Sequence, residues 1–200
     1  MTTTIPTLQD DGLFTPVVGD WGLRKYQLLQ LYAHLFSSSM ANKWDCRVYI
    51  DLFSGPGRAR LKHSRQVIPT SPSLALSVSS PFNRYVFCDI DARCASALSA
   101  RVSRDYPYAN ATVVNGDCNK NVPELLAAVP QPSRDYTVLS LCFVDPFAIQ
   151  NLSFQTIIQP AILYVDFLVL IPAYLDARRN INTYLRPESR SVEAFLGLQD

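Results

Sequence analysis

The chain has 200 residues, of which 48% are hydrophobic and 18% charged, and this is the composition of one ordinary globular domain. A formal net charge of +1 excludes a general attraction to nucleic acid or membrane surfaces, so such a partner would need a local patch. The five cysteines form no C-x-x-C pair, which argues against a disulfide framework or a structural zinc site. This pattern predicts a reducing, cytoplasmic location and no bound metal.

The first 19 residues contain Thr, Pro and Asp in place of periodic apolar residues, which predicts a flexible N-terminal arm without the features of a signal peptide. Residues 21–36 follow with apolar side chains at helical spacing, and they predict an amphipathic helix that packs on the rest of the fold. The apolar set is Trp21, Leu28, Leu31, Tyr32 and Leu35. No apolar run reaches the roughly 20 residues of a transmembrane helix, so no membrane segment is expected.

Five short apolar runs then alternate with helix-like stretches. The runs cover residues 47–53, 84–90, 111–115, 137–144 and 164–171. Strands that are apolar along nearly their whole length, separated by crossover segments, indicate a parallel sheet buried on both faces. We therefore predict an α/β fold with a Rossmann-like, doubly wound and mostly parallel sheet, formed by a single domain over residues 20–200.

In a sheet of this kind, ligands bind at the carboxyl ends of the first strands. The first run ends in the segment DLFSGPG, which contains Asp51, Phe53, Gly55 and Gly57. Two glycines let the backbone turn sharply and approach a ligand closely. A plain turn is the alternative interpretation of this segment.

The second and third runs also end in polar residues. Asp89 closes the second run, where a carboxylate can accept hydrogen bonds from both hydroxyls of a ribose. Asp91 is instead expected to cap the following helix. After the third run, Asp117 and Cys118 offer a carboxylate and backbone amides to an adenine edge, although Asp117 or Asn119 can equally cap a helix.

The fourth run ends in Asp145, Pro146 and Phe147. A carboxylate and an aromatic ring at this position can hold a planar amine, with the ring stacked on it. An ordinary strand-end Asp-Pro turn is the alternative. We expect Asp145, Pro146 and Phe147 to form the catalytic group of the site.

A basic stretch follows the first strand. It contains Arg58, Arg60, Lys62, His63 and Arg65, which can grip the phosphates of a nucleic acid near the site. A solvated loop is the alternative, and it is favoured because no aromatic residues are interleaved. Neither His34 nor His63 has a Cys or acidic cluster at metal-ligand spacing.

The strand-end motifs together resemble those of class I S-adenosylmethionine-dependent methyltransferases. The DPF segment is similar to the DPPY or DPPF signature of amino-group methyltransferases, but it lacks one proline. More closely, the chain from about Val18 to Gly197 resembles the three-Cys-motif partner protein family of bacteria. The matching segments are WGLRKYQLLQLY, YIDLFSGPGRAR, TSPSLAL, GDCN, FVDPF, DFLVLIP, RRN and FLG.

This resemblance implies S-adenosylmethionine as the cofactor. It places Asp51, Phe53, Gly55 and Gly57 around the methionine part, Asp89 at the ribose, Asp117 and Cys118 at the adenine, and Asp145, Pro146 and Phe147 at the methyl acceptor. It also implies a partner, which is a radical-SAM-like protein with a three-cysteine motif. The gene for that protein lies close to the genes of the family.

A complete class I methyltransferase sheet has seven strands, whereas the apolar runs end with the fifth, so the C-terminal strands are expected to be missing. An exposed strand edge favours aggregation, so we expect a partner or a second copy of the chain to cover it.

These observations leave two candidate functions. The first is methyl transfer to an amino group, with a nucleic-acid base as substrate, and the second is a non-catalytic partner protein with a degenerate methyltransferase fold.

Overall fold

The computed structural model describes residues 4–172, 176, 178–186 and 188–198, and within these ranges it leaves out the side chain of Ile162. The strands are β1 (Val17–Val18), β2 (Cys46–Asp51), β3 (Arg58–Leu61), β4 (Val67–Pro69), β5 (Arg84–Asp89), β6 (Ala111–Asn115), β7 (Val138–Val144) and β8 (Val165–Val169). The α-helices are α1 (Gly22–Met40), α2 (Ser71–Leu76), α3 (Ala92–Asp105), α4 (Val122–Ala127), α5 (Phe154–Ile158), α6 (Ile181–Tyr184) and α7 (Ser191–Leu196).

Five strands form one sheet in the order β6-β5-β2-β7-β8, and every pair in it is parallel. The predicted α/β fold with five strands is thereby confirmed. The chain runs from the central β2 outward to β5 and β6, and then crosses to β7 and β8 on the other side. The direction of winding therefore reverses beside β2, and a ligand crevice is expected at the carboxyl ends of the strands there.

The sheet is buried on both faces because its inner strands are mostly apolar. Every residue of β2 and of β7 is buried. One face packs against α1, α2 and α3, with Tyr49 and Phe143 among its contacts. The opposite face carries Val48 and Cys142, which pack with Leu125 of α4. Successive side chains point to opposite faces of a strand, so two separate cores cover one sheet.

A smaller sheet in the order β1-β3-β4 lies beside this body. The basic stretch after β2 supplies β3, which pairs with β4 in antiparallel fashion. The expected loop is therefore wrong for Arg58 and Arg60, which lie in β3, whereas Lys62, His63 and Arg65 lie in the exposed turn between β3 and β4. The side chain of Arg60 pairs with Asp10 and that of Arg58 with Asp105, so both cations already have partners within the chain.

The described part of the N-terminal arm lies on this smaller sheet. Leu8 bridges to Val67 of β4, and β1 pairs with β3. The side chain of Ile5 is buried. The arm therefore has specific backbone and apolar contacts, while its flexibility stays a prediction.

Helix α1 confirms the predicted helix but not its predicted buried face. The side chains that pack inward are Tyr26, Leu29, Ala33 and Phe36. The apolar set expected to be buried is exposed, namely Trp21, Leu28, Leu31, Tyr32 and Leu35. Both sets have helical spacing, and periodicity alone does not distinguish them when apolar residues surround the helix.

At the other side of the sheet, β8 pairs with β7. In the described ranges, no further strand pairs with the outer edge of β8. Coverage of residues 164–171 by a partner or a second copy stays a prediction. Over the same ranges, the helices are all too short or too polar to cross a bilayer.

Candidate functional site

A cavity of about 440 Å³ opens at the carboxyl ends of β2, β5, β6 and β7. Its volume is in the usual range for small-molecule sites, and its position is the crevice that the strand order predicts. The residues that line it follow four different strands. They are Leu52, Phe53, Asp89, Ile90, Gly116, Asp117, Cys118, Asn119, Asp145, Phe147, Gln150 and Asn151.

The charge of this lining has one sign. Three carboxylates, those of Asp89, Asp117 and Asp145, line the cavity, and none of its described lining residues is Lys, Arg or His. Such a wall repels phosphate groups and favours a ligand that carries positive charge. The cavity therefore differs from the phosphate-binding crevice of a dinucleotide site.

Asp89 is held by backbone groups on two sides. Its carboxylate accepts a hydrogen bond from the Gly55 amide at 2.7 Å and from the Asp91 amide at 2.8 Å. Burial raises the pKa of Asp89, although these two amides act against the rise. A carboxylate offers about four acceptor positions, so the side chain is fixed in place and can still accept hydrogen bonds from a ligand.

Asp91 has the structural role that the sequence predicts. It is the N-cap of α3, and its carboxylate accepts a hydrogen bond from the Arg93 amide at 2.9 Å. Between the two acids lies Ile90, whose side chain is 73% exposed at the cavity. An apolar side chain beside a carboxylate suits a ligand with a flat apolar ring next to a pair of hydroxyls.

The turn after β6 adds a second carboxylate. Asp117 accepts hydrogen bonds from the backbone amide of Asn119 at 3.0 Å and from its side-chain amide at 2.9 Å. The Asp117 side chain therefore shapes this turn, and α4 begins later with Asn121 as a cap without a side-chain hydrogen bond. Burial raises the pKa of the Cys118 thiol to about 12, so that side chain is an apolar filler.

Gly116 packs closely in the same turn. A Cβ at this position would displace the side-chain amide of Asn121. Asn119 ties the turn to the segment after β7, because its side chain donates to the Asn151 carbonyl at 2.9 Å and accepts from the Ser153 amide at 2.9 Å. Two walls of the cavity are thus joined through one asparagine.

Asp51 lies below the cavity at the end of β2. Its side chain is fully buried, and Oδ2 has no hydrogen-bond partner among the described residues. Burial raises the pKa of Asp51 to about 7, while Ser71 and the Phe53 amide act against the rise. A buried acceptor without a partner is costly.

Asp145 is already paired with a cation from another part of the chain. Nζ of Lys25 in α1 lies 2.5 Å from Oδ2 of Asp145, and the ammonium also lies over the rings of Trp21 and Tyr26. Asp145 is therefore able to hold an amine. Next to this pair, Phe147 is 93% exposed at the cavity.

The glycines after β2 have unequal roles. Gly55 has a φ of +62° and open space around a built Cβ, whereas Gly57 has a φ of +83° and a built Cβ would lie 3.0 Å from Oγ of Ser73 and 3.1 Å from a methyl group of Leu98. Gly57 thus faces the protein interior. A side chain at Gly57 is therefore expected to disturb the fold before it affects a ligand.

The structure brings six of the predicted site residues together at the cavity: Phe53, Asp89, Asp117, Cys118, Asp145 and Phe147. Asp51, Gly55, Gly57 and Pro146 lie outside its lining. Sequence reasoning missed Leu52, Ile90, Gln150, Asn151 and the partner of Asp145, Lys25. The described residues contain no group of three or more His, Cys, Asp or Glu that could hold a metal ion.

No family model matches the chain, and no curated protein matches it significantly. Among solved structures, the Escherichia coli protein named "Putative methyltransferase yhhF" aligns with a TM-score of 0.44 at 18% identity, over 84% of this chain and 80% of that one. The protein LPL1258 from Legionella pneumophila, with the family model DUF519, aligns with a TM-score of 0.42 at 15% identity, over 60% of this chain. This chain spans 56% of the Legionella protein's length, and both are distant likenesses of fold.

Proposed function

We propose that the cavity binds S-adenosylmethionine and that the protein is an S-adenosylmethionine-dependent methyltransferase or a close derivative of one. The observation that carries this proposal is a cavity lined by the carboxylates of Asp89 and Asp117, with a third carboxylate, Asp145, that Lys25 already neutralises, at the reversal point of a five-stranded parallel sheet. Among the adenine-containing ligands of Rossmann-like folds, this ligand carries a sulfonium and an ammonium in place of phosphates. Its charge therefore suits this wall.

Each part of that ligand has matching groups in the cavity. Asp89 accepts hydrogen bonds from the ribose hydroxyls, and Ile90 packs against one face of the adenine. The carboxylate of Asp117 and the backbone amides beside it meet the adenine edge. The methionine part would lie beside the loop after β2, where Phe53 lines the cavity and the buried Asp51 lies outside the lining.

The acceptor side of the proposal rests on Asp145 and Phe147. The bound sulfonium supplies an activated methyl group, so the protein mainly has to align an amine with it. Asp145 already binds the ammonium of Lys25, and an amine substrate would take that position while Phe147 stacks on it. This arrangement favours a planar amino group, such as that of a nucleic-acid base, as the acceptor.

The same ion pair supports a second candidate. If Lys25 stays on Asp145, the acceptor carboxylate is closed, and the chain is a non-catalytic partner that retains the cofactor site. The resemblance to three-Cys-motif partner proteins suggests a radical-SAM-like protein with a three-cysteine motif as that partner. Transfer of labelled methyl groups to DNA, RNA and protein mixtures separates the two candidates, since only the first predicts labelled product.

The cofactor site itself is tested by two neighbouring acids. Asp89→Ala should weaken binding of S-adenosylmethionine and its demethylated product by about 1.5 to 3 kcal/mol, because hydrogen bonds to a charged group are lost. Asp91→Ala is the matched control, and it should lower stability as a lost cap while leaving affinity unchanged. Isothermal titration calorimetry and thermal unfolding measure both effects, and equal affinities for the two variants would remove Asp89 from the site.

A further inference from the structure

The arm and the loop after β2 meet at one buried arginine. Arg101 of α3 is 1% exposed. Its Nη1 group donates to the Pro56 carbonyl at 2.6 Å and to the Phe14 carbonyl at 3.0 Å. Pro56 lies between the two glycines of the loop, and Phe14 lies in the arm. One guanidinium group therefore joins two segments that are far apart in sequence.

The arm also supplies the charge that this arginine needs. Asp11 accepts hydrogen bonds from Nε at 2.9 Å and from Nη2 at 2.7 Å, the bidentate geometry of a strong arginine–carboxylate pair. Thr15 adds a hydroxyl acceptor at 2.9 Å. A buried guanidinium is tolerated only when it is paired and fully hydrogen-bonded. The position of Arg101 thus depends on the docked arm.

On its other side, the loop touches the cavity. The Gly55 amide donates to Oδ2 of Asp89 at 2.7 Å, and Asp89 lines the cavity. A continuous path of contacts therefore runs from Asp11 through Arg101, Pro56 and Gly55 to Asp89. Its two ends are the arm and the carboxylate proposed to bind ribose.

We propose that Asp11 and Arg101 are positioning residues for the cavity, and that docking of the N-terminal arm and binding of a ligand in the cavity are coupled. Only the identity of the ligand rests on the proposed function. When Asp11 is removed, Arg101 loses its bidentate partner, its hold on the Pro56 carbonyl weakens, and the Gly55 amide is less well aligned on Asp89. Linkage requires the converse, so that a bound ligand stabilises the docked arm.

The test compares Asp11→Ala with the control Asp10→Ala in the full chain. Asp10 lies next to Asp11 and pairs with Arg60 of β3, whereas the ion pair of Arg101 is with Asp11. We expect Asp11→Ala to weaken binding of S-adenosylhomocysteine about tenfold, within the usual range of coupling between sites, and Asp10→Ala to leave it unchanged. Asp11→Glu, which keeps the carboxylate, should recover part of the loss.

Two further measurements separate this coupling from a general loss of stability. Hydrogen exchange at the Gly55 amide should be faster in Asp11→Ala than in Asp10→Ala without any ligand. Limited proteolysis within residues 4–19 should slow when S-adenosylhomocysteine is added to the wild-type chain, and it should not slow in Asp11→Ala.

Equal ligand affinity in the two alanine variants, with equal exchange at Gly55, would overturn the coupling and leave the proposed function intact. If the wild-type chain does not bind S-adenosylhomocysteine, the proposed cofactor fails. In that case the rate of hydrogen exchange at the Gly55 amide tests the positioning role without a ligand. A faster rate in Asp11→Ala than in Asp10→Ala supports the role, and an equal rate overturns it.

Discussion

The arm network and the cavity both contain carboxylates, but the two regions use them differently. In the network, Asp11 accepts from Arg101 and Arg104, and the side chain of Asp105 pairs with Arg58. In the cavity, Asp89 and Asp117 line a wall that has no Lys, Arg or His among its described residues, while Asp145 is paired with Lys25 of α1. Paired charges of the first kind hold a fold together, whereas clustered carboxylates of the second kind are able to bind a positively charged ligand.

The largest expected effect is in the network. Arg101→Met keeps much of the side-chain volume but leaves the carbonyls of Phe14 and Pro56 without this donor and takes the bidentate partner from Asp11, which retains Arg104. Removal of one partner from a buried pair costs about 3 to 5 kcal/mol, and we expect a loss of unfolding free energy in that range in urea denaturation. Arg104→Met is the control, because its side chain is 46% exposed, and little change is expected. A stable Arg101→Met variant would contradict the structural role of the network.

The second effect separates Asp51 from the paired acids. Burial raises the pKa of Asp51 to about 7 in the folded chain, so the carboxyl group takes up a proton on folding between about pH 4 and pH 7. The free energy of unfolding therefore falls as the pH rises through this range. Asp51→Asn should therefore match the wild type near pH 4 and exceed it above pH 7, by on the order of 4 kcal/mol. Chemical denaturation at several pH values measures the difference, and a constant difference across pH would refute the raised pKa.

The third effect compares the two glycines of the loop. Both have a positive φ, which costs a residue with a Cβ about 1 to 2 kcal/mol. Gly57→Ala also forces contacts with Ser73 and Leu98, an overpacking cost of about 1 to 3 kcal/mol. Gly55→Ala has open space and should cost only the first amount. Equal losses of unfolding free energy would mean that the Gly57 contacts relax freely.

The sequence predicted the sheet because a strand buried on both faces leaves a continuous apolar run, as in β2 and β7. It also predicted the cap at Asp91 and the carboxylates at the strand ends, since both are local patterns. Contacts between distant segments leave no such pattern. Lys25 and Asp145 are 120 positions apart, and Arg101 and Asp11 are 90 positions apart.

Local patterns also failed where they fit two structures. The periodicity of residues 21–36 fits either face of α1, and only the folded chain shows that Leu29 and Phe36 are buried while Leu28 and Leu35 are exposed. The basic stretch from Arg58 does carry a strand pattern, because Arg58 and Arg60 alternate with the buried Ala59 and Leu61, and β3 pairs with β1 and β4 on its two sides. For α1, by contrast, tertiary packing decided what the local sequence left open.

The central claim is that the cavity selects a ligand by its positive charge. Calorimetric titration of the wild-type chain with S-adenosylmethionine, adenosine and ADP at constant ionic strength tests it most directly, because these ligands share the nucleoside and differ in charge. We expect S-adenosylmethionine to bind most tightly, adenosine more weakly and ADP most weakly, since its phosphates approach the carboxylates. Tighter binding of ADP than of S-adenosylmethionine would contradict the claim.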